Sequence, residues 1–151
     1  MRLGTKGRYA VMAMTDLAGR QGDAGGRAVA LADIAARQEI SLSYLEQLFA
    51  RLRRRGLVIS ARGPGGGYRL AKAADETLIS DIIFAVDEPL RATRCKVTGS
   101  KGCMARGERC LTHDLWDEMG HRIHGYLESV SLADVLEGKL RERPAQGLSA
   151  E

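Results

Sequence analysis

The segment Gly63-Pro64-Gly65-Gly66-Gly67 constrains this 151-residue chain more than any other. It separates two short β-rich runs, Leu57-Val58-Ile59-Ser60 and Tyr68-Arg69-Leu70. Glycine tolerates positive φ and close backbone approach, so the pair reads as a hairpin with a long turn. What precedes the hairpin is helical. Tyr9, Ala10, Ala13, Met14, Leu17 and Ala18 put an apolar stripe on a helix over Lys6–Arg20. A Gly-rich loop follows, from Gly22 to Arg27. Leu31, Ile34 and Ala35 mark the inner face of a short helix over Leu31–Arg37. After the turn at 38–40, Ser41 is the N-cap of a third helix, Leu42–Arg55, which Gly56 ends. Helix, helix, turn, helix and a Gly-tipped hairpin, in that order, make a winged helix-turn-helix over residues 1–75.

The third helix has two unlike faces. Leu45, Leu48, Phe49 and Leu52 point inward. The opposite face carries Ser43, Gln47 and Arg54, with Glu46 and Arg51 at its flanks and Tyr44 near the start. Gln can bond adenine bidentately, Ser can meet any base edge or phosphate, and Glu can accept from cytosine N4. The cluster Arg51, Arg53, Arg54, Arg55 suits phosphates and favours a helix C-terminus. An ordinary solvated amphipathic face is the alternative, and the neighbouring helix and hairpin weigh against it. Gly63–Gly67 lacks the Lys-Ser/Thr ending of a nucleotide-binding loop and leads into a strand, so it is no phosphate cradle of that kind. Three successive glycines between Arg62 and Arg69 instead suit a wing tip lying close to a partner.

Charge supports the same division. Residues 1–75 hold 13 Lys/Arg against 6 Asp/Glu, a net of +7, and residues 76–151 hold 10 against 13, a net of −3. The front half has the balance of a polyanion-binding module. No apolar run approaches the roughly 18 residues of a membrane span. The opening Met1-Arg2-Leu3-Gly4-Thr5-Lys6 lacks the apolar core of a signal peptide, so a cytoplasmic location is expected. No catalytic constellation is visible, which argues against an enzyme.

A helix over Ile79–Val86, stopping before Pro89, connects the front half to a cysteine-bearing loop over 91–113. The donors read Cys95-x7-Cys103-x6-Cys110-x2-His113. Thiolates are soft ligands that fit iron–sulfur clusters or zinc. Long Gly-containing spacers suit an inorganic cluster. A zinc- or nitric-oxide-responsive regulator, or metal-free redox thiols, remain open on spacing alone. A helix starts near Thr112, and its N-terminus favours the negative charge of a thiolate-bound cluster. That helix runs to about Leu127. Trp116, Met119, Ile123, Tyr126/Leu127 and then Val130 recur along it as a dimerisation seam, unless the stripe packs on its own DNA-binding domain. His121 and His124, in mid-helix, read as surface residues. A short helix covers Leu132–Leu136, and 138–151 reads as a disordered tail. The fold class is therefore mainly α: a winged helix-turn-helix with a β-hairpin wing, a cysteine loop and a long C-terminal dimerisation helix.

Several runs together resemble one family. They are Met1-Arg2-Leu3, Lys6-Gly7-Arg8-Tyr9-Ala10-Val11, Ile40-Ser41-Leu42-Ser43-Tyr44-Leu45-Glu46-Gln47-Leu48 and Arg62-Gly63-Pro64-Gly65-Gly66-Gly67-Tyr68, joined by Ala92-Thr93-Arg94-Cys95 and Cys110-Leu111-Thr112-His113. In that order they resemble the IscR-type family of bacterial iron–sulfur cluster regulators, over about residues 1–137. The resemblance implies a homodimeric transcription factor holding a [2Fe–2S] cluster on Cys95, Cys103, Cys110 and His113. It implies DNA contacts from Ser43, Tyr44, Gln47 and Arg62, with Glu46 discriminating between sites. It also implies repression of cluster-assembly genes when the cluster is present, with the cluster-free form still regulating a second class of sites. The operator expected for such a dimer is a palindrome. The spacers between the cysteines are slightly longer than the resemblance leads one to expect.

Overall fold

The first helix, α1 (Thr5–Gln21), is the spine onto which the other helices fold. Ala10, Ala13, Met14 and Leu17 recur every three or four residues and are fully buried. The computed structural model describes residues 3–21, 26–88 and 103–140. Against α1 pack α2 (Leu31–Gln38), α3 (Leu42–Arg54), α4 (Ile79–Ala85) and α6 (Leu132–Glu137), while α5 (His113–Glu128) lies against α4. Strands β1 (Val58–Ala61) and β2 (Gly67–Leu70) pair antiparallel, with Val58 opposite Leu70 and Ala61 opposite Gly67. The expected elements are all present, and their ends differ by a residue or so, as helix and strand boundaries do.

The caps follow from the residues. Ser41 accepts from the Tyr44 amide at the start of α3. Gly56 takes the left-handed conformation after its end, at φ 76°, with Gly56 N–H on Arg53 O and Leu57 N–H on Leu52 O. At α6, Ser131 and Asp134 form a reciprocal capping box. Ile79 N–H bonds Val130 O, and Leu132 N–H bonds Thr77 O. These two bonds tie the start of α4 to the start of α6, so Val130 and Leu132 belong to the same core as α1.

The hairpin gains a third short segment that sequence reading did not anticipate. Val29 and Tyr68 exchange both backbone hydrogen bonds, at 2.8 and 2.9 Å. Gln21 Oε1 accepts from Leu70 N–H at 2.7 Å and fixes β2 to the end of α1. The glycines of the turn now divide. A side chain at Gly67 would collide with the Val29 carbonyl, and one at Gly66 would meet the Ala61 and Gly63 carbonyls at 2.7 Å. Those two glycines admit the protein's own backbone. Gly63 and Gly65, at φ 92° and 74° with open space around them, are the ones free to approach a partner.

A polar tie joins α1 to α2. The Asp16 carboxylate, almost wholly buried, accepts from Arg37 Nε and Nη2 and from Gln38 Nε2 at 2.7 to 3.2 Å. The Arg37 hydrogen bonds hold its pKa below the usual 3.8, against the opposing effect of burial. A carboxylate lowered in the folded state stabilises that state above its ordinary pKa and loses the contribution as pH falls through the folded value. The urea midpoint of the wild type should therefore drop as pH falls below about 4, while Asp16→Asn should lack this component. At neutral pH, Asp16→Asn should cost on the order of 1–2 kcal/mol, screened in part because Arg37 is partly exposed. Urea unfolding of both proteins between pH 7 and pH 3 checks this.

Candidate nucleic-acid interface and metal-ligand turn

Burial of one side of α3 decides what the other side offers. Leu45, Leu48, Phe49 and Leu52 are at most 2 % exposed, and the Phe49 ring meets Tyr68 edge-on at 5.0 Å. Ser43, Glu46, Gln47 and Arg54 consequently lie exposed along a single outer face. Tyr44 is half-buried, its ring edge-on to Tyr9 at 6.0 Å, so part of it belongs to the α1–α3 contact. Ser43 Oγ lies 3.0 Å from the capping Ser41 Oγ. Arg62 is exposed on the hairpin beside the glycine turn.

The arginine cluster at the end of α3 is less uniform than its sequence suggests. Arg53 Nη1 donates to Ser60 Oγ on β1 at 3.4 Å. Arg51 Nη1 lies 2.8 Å from Asp87 Oδ2 and also donates to Val86 O at 3.4 Å. Arg55 Nη2 is 3.9 Å from the other Asp87 oxygen. Arg54 remains on the outer face with Gln47 and Ser43. Periodicity identifies the face, but the pairing of Arg51 and Arg55 depends on α4, whose approach the sequence does not reveal.

The second feature is the turn that leads into α5. Gly107 N–H bonds Met104 O at 2.9 Å, Met104 N–H bonds Glu108 O, and Gly107 sits at φ 83°. This turn folds the chain back so that Cys103 Sγ lies 2.9 Å from His113 Nδ1. His113 is buried at the first position of α5, and its amide bonds Cys110 O at 3.0 Å. Cys110 is half-buried, with Sγ 3.8 Å from Thr112 Oγ1. Among the described residues, no group of three or more His, Cys, Asp or Glu stands in metal-holding geometry. Cys95, the remaining expected donor, lies outside the described residues. The described residues form a sulfur–imidazole contact with a second cysteine one turn away, a soft donor set that fits iron or zinc. His121 and His124 stand apart, beside Asp117 and Glu128 respectively.

The expected seam on α5 divides between two directions. Leu127 packs against the core and Val130 is 2 % exposed, so the end of the stripe faces this chain's own domain. Met119 and Ile123 are half-buried. Leu115, Trp116 and Tyr126 are exposed, at 59 %, 36 % and 49 %, and Leu111 just before the helix is fully so. No described helix is long and apolar enough to cross a membrane.

Comparison with known proteins places these features in a common context. A family model described as Rrf2, iron-dependent transcriptional regulator, matches residues 3–138. The chain is 56 % identical over 138 residues to the HTH-type transcriptional regulator IscR of Photorhabdus laumondii, covering 90 % of this chain and 79 % of that one. It is 54 % identical over 138 residues to the protein of the same name from Serratia proteamaculans, with the same coverage. It superposes on the structure of T. potens IscR with a TM-score of 0.71 at 37 % identity, over 97 % of this chain and 94 % of that one. For CymR, the global cysteine regulator of B. subtilis, the TM-score is 0.74 at 30 % identity, over 91 % and 98 % of the two chains. The two solved structures share the helical fold with its two-stranded wing, and the Photorhabdus and Serratia relatives are named as regulators of transcription, which are not enzymes. With its matching fold and sequence over nearly its whole length, the chain belongs to the Rrf2 family of iron-dependent transcriptional regulators.

Proposed function

We propose that this regulator senses iron–sulfur cluster supply, holding a [2Fe–2S] cluster on Cys95, Cys103, Cys110 and His113 and reading DNA with α3 and the wing. The observation that carries the reading is the Cys103–His113 contact at the start of α5, in a chain whose α3 presents Ser43, Glu46, Gln47 and Arg54 outward. The cluster, when bound, supplies a redox-active, acid-labile group with net negative charge. His113 stands at the first position of α5, where the positive end of the helix dipole would favour such a charge. An imidazole ligand is neutral where a thiolate is charged, so it stabilises an oxidised cluster less than a fourth thiolate would. That weaker hold suits a sensor of supply in the cytoplasm.

On DNA, Gln47 bonds an adenine edge and Ser43 a base edge or phosphate, with Tyr44 at their flank, a reading supported by the outward position of Gln47 and Ser43 on α3. Arg54 and Arg62 meet phosphates, and the open glycines at 63 and 65 let the wing backbone come close. Glu46 is favourable opposite a cytosine amino group and unfavourable opposite acceptors or phosphate. Two such heads, joined through the outward apolar side of α5, at exposed Leu115, Trp116 and Tyr126 and half-buried Met119 and Ile123, read a palindromic operator. Leu127 contributes from its inner edge. Repression of cluster-assembly genes by the cluster-bound form, and action of the cluster-free form at a second class of sites, are what the resemblance to IscR-type regulators implies for this chain.

Anaerobic purification should yield a red-brown protein containing iron and acid-labile sulfide. A colourless protein containing zinc would sink the cluster reading and leave the DNA reading intact. His113→Ala should weaken cluster retention by at least about 10-fold, the loss typical of disturbing even outer partners of a metal site. His121→Ala and His124→Ala should leave iron per monomer and the visible spectrum unchanged. Gel shifts of cluster-free Glu46→Ala on a panel of operators should show gains of roughly 5- to 150-fold, or 1–3 kcal/mol, at sites the wild type rejects. An unchanged ranking across the panel refutes the gating role. Leu115→Glu tests dimerisation better than a change at half-buried Ile123, because Leu115 has little intramolecular packing to lose. Light scattering should report a folded monomer, and a stable dimer counts against this interface.

A further inference from the structure

The end of α4 is built in a way its backbone alone does not require. Asp87 N–H bonds Phe84 O at 3.1 Å and Glu88 N–H bonds Ile83 O at 3.3 Å, the paired bonds of a helix stop whose first outer residue is left-handed. That residue is Asp87, at φ 56°. Glycine adopts this conformation without a Cβ penalty, and the chain does place glycine at the equivalent position after α3, Gly56 at φ 76°. After α4 it carries a carboxylate instead, at a conformational cost. Asparagine and aspartate tolerate this region better than other side chains, so the position is occupied by a residue that can sit there and also reach outward. Strain at a non-glycine residue is a reason to ask what its side chain does.

The carboxylate reaches the last turn of the reading helix. One oxygen is 2.8 Å from Arg51 Nη1 and the other 3.9 Å from Arg55 Nη2. Arg51 is held a second time, by Val86 O. Two of the four arginines that make α3 look like a phosphate-binding helix are thus paired with an anion from another helix. Exposed ion pairs contribute little to stability, so a stabilising role does not account for the pairing. Its effect on a polyanion is larger, because each cation that meets a phosphate releases a condensed counterion.

We propose that Asp87 is a positioning residue for DNA binding, which holds Arg51 and Arg55 off the phosphate backbone and so lowers the sequence-independent part of the affinity. Arg54 and Arg62 are left to supply the phosphate contacts, and Ser43, Glu46 and Gln47 to decide between sequences. The proposal rests on α3 being the DNA-contacting helix. It adds that the charge available to that helix is set from α4.

The test is the salt dependence of binding to a mixed-sequence DNA duplex of about 30 base pairs, roughly three helical turns. Fluorescence anisotropy of the full-length protein, purified anaerobically, gives the slope of log K against log salt concentration. Asp87→Asn keeps a residue that tolerates the left-handed conformation and removes only the charge. Its slope should be steeper than the wild type's by about 0.9 for each arginine released, which at about 0.1 M salt is roughly 8- to 60-fold tighter binding. Asp75→Asn, the same charge change on the exposed turn Ala74–Glu76, should leave the slope at its wild-type value. In an Arg51→Met/Arg55→Met background, Asp87→Asn should have no effect. Should Asp87→Asn fold poorly, Asp87→Gly carries the same expectation, since glycine is the residue this helix stop favours. A role confined to structure predicts weaker binding at an unchanged slope, and that result overturns the proposal. So does an equal effect of Asp75→Asn, or a persistent effect without the two arginines. Wild-type protein that fails to bind the duplex at low salt overturns the DNA-contact reading itself, a result distinguishable from the others.

Discussion

Burial of the α3 apolar stripe is the constraint on which the rest of the structure depends. Leu45, Leu48, Phe49 and Leu52 occupy one side of a 13-residue helix and meet α1 and α2. Each large apolar side chain of this kind contributes about 1.5–3 kcal/mol when removed from water. Successive residues are about 100° apart around a helix, so a rotation that turned Gln47 inward would bring Leu48 or Leu45 out. The outward set of Ser43, Glu46, Gln47 and Arg54 is therefore specified by the core, and none of these four has to contribute to folding. Residue identity at those positions is left free to answer to the partner.

The wing depends on the same core in a different way. Phe49 and Tyr68 bring β2 against α3, and Gln21 and Val29 bring it against the end of α1 and the segment before α2. Three backbone segments converge at Gly67, where a Cβ would strike the Val29 carbonyl. A hairpin of two four-residue strands is marginal on its own in water. Here its second strand is bonded on both edges, which gives the exposed turn at 62–65 a fixed base. On the far side of α1, the bonds from Thr77 and Ile79 to Leu132 and Val130 join α6 to the same unit. The connection between the reading half and α5 is thus made through α4, which touches both.

The elements were legible because their signals are local. The α1 and α3 stripes, the Ser41 cap and the Gly56 stop each lie within one or two helical turns of sequence, and each stands where expected. The site was legible to the extent that it, too, is local: the outer face of α3 follows from its inner face, and Cys103, Cys110 and His113 lie within one short segment. What the sequence hid is non-local. The pairing of Val29 with Tyr68 spans 39 positions, and the short run Ala28-Val29-Ala30 after the glycines has too few residues to show a strand's alternation. The reach of Asp87 to Arg51 and Arg55 depends on a left-handed aspartate where glycine is the usual sign of a helix stop. The α5 stripe has one period, yet it serves the chain's own core at Leu127 and solvent at Leu115 and Tyr126, a division that only the position of α4 decides.

These non-local contacts bear on a problem every DNA-binding regulator faces. Attraction between cations and phosphates acts at every position of a genome, so raising it strengthens competing sites along with the right one. Discrimination depends on the difference between them, and it improves when a repulsive or neutralising group removes binding that carries no sequence information. A helix that ends in Arg51, Arg53, Arg54 and Arg55 would, unmodified, bind duplexes strongly and with little regard to sequence. In this fold an exposed carboxylate, Glu46, stands on the outer face of that helix, and a second, Asp87, comes to its far end from α4. Arg53 is turned toward Ser60 on the wing. The net charge of +7 in the front half brings the protein to DNA from a distance, where only the total matters. At contact the individual pairings matter, and under the proposed roles of α3 and Asp87 they would leave base-edge recognition a larger share of the binding energy than the composition of α3 alone implies.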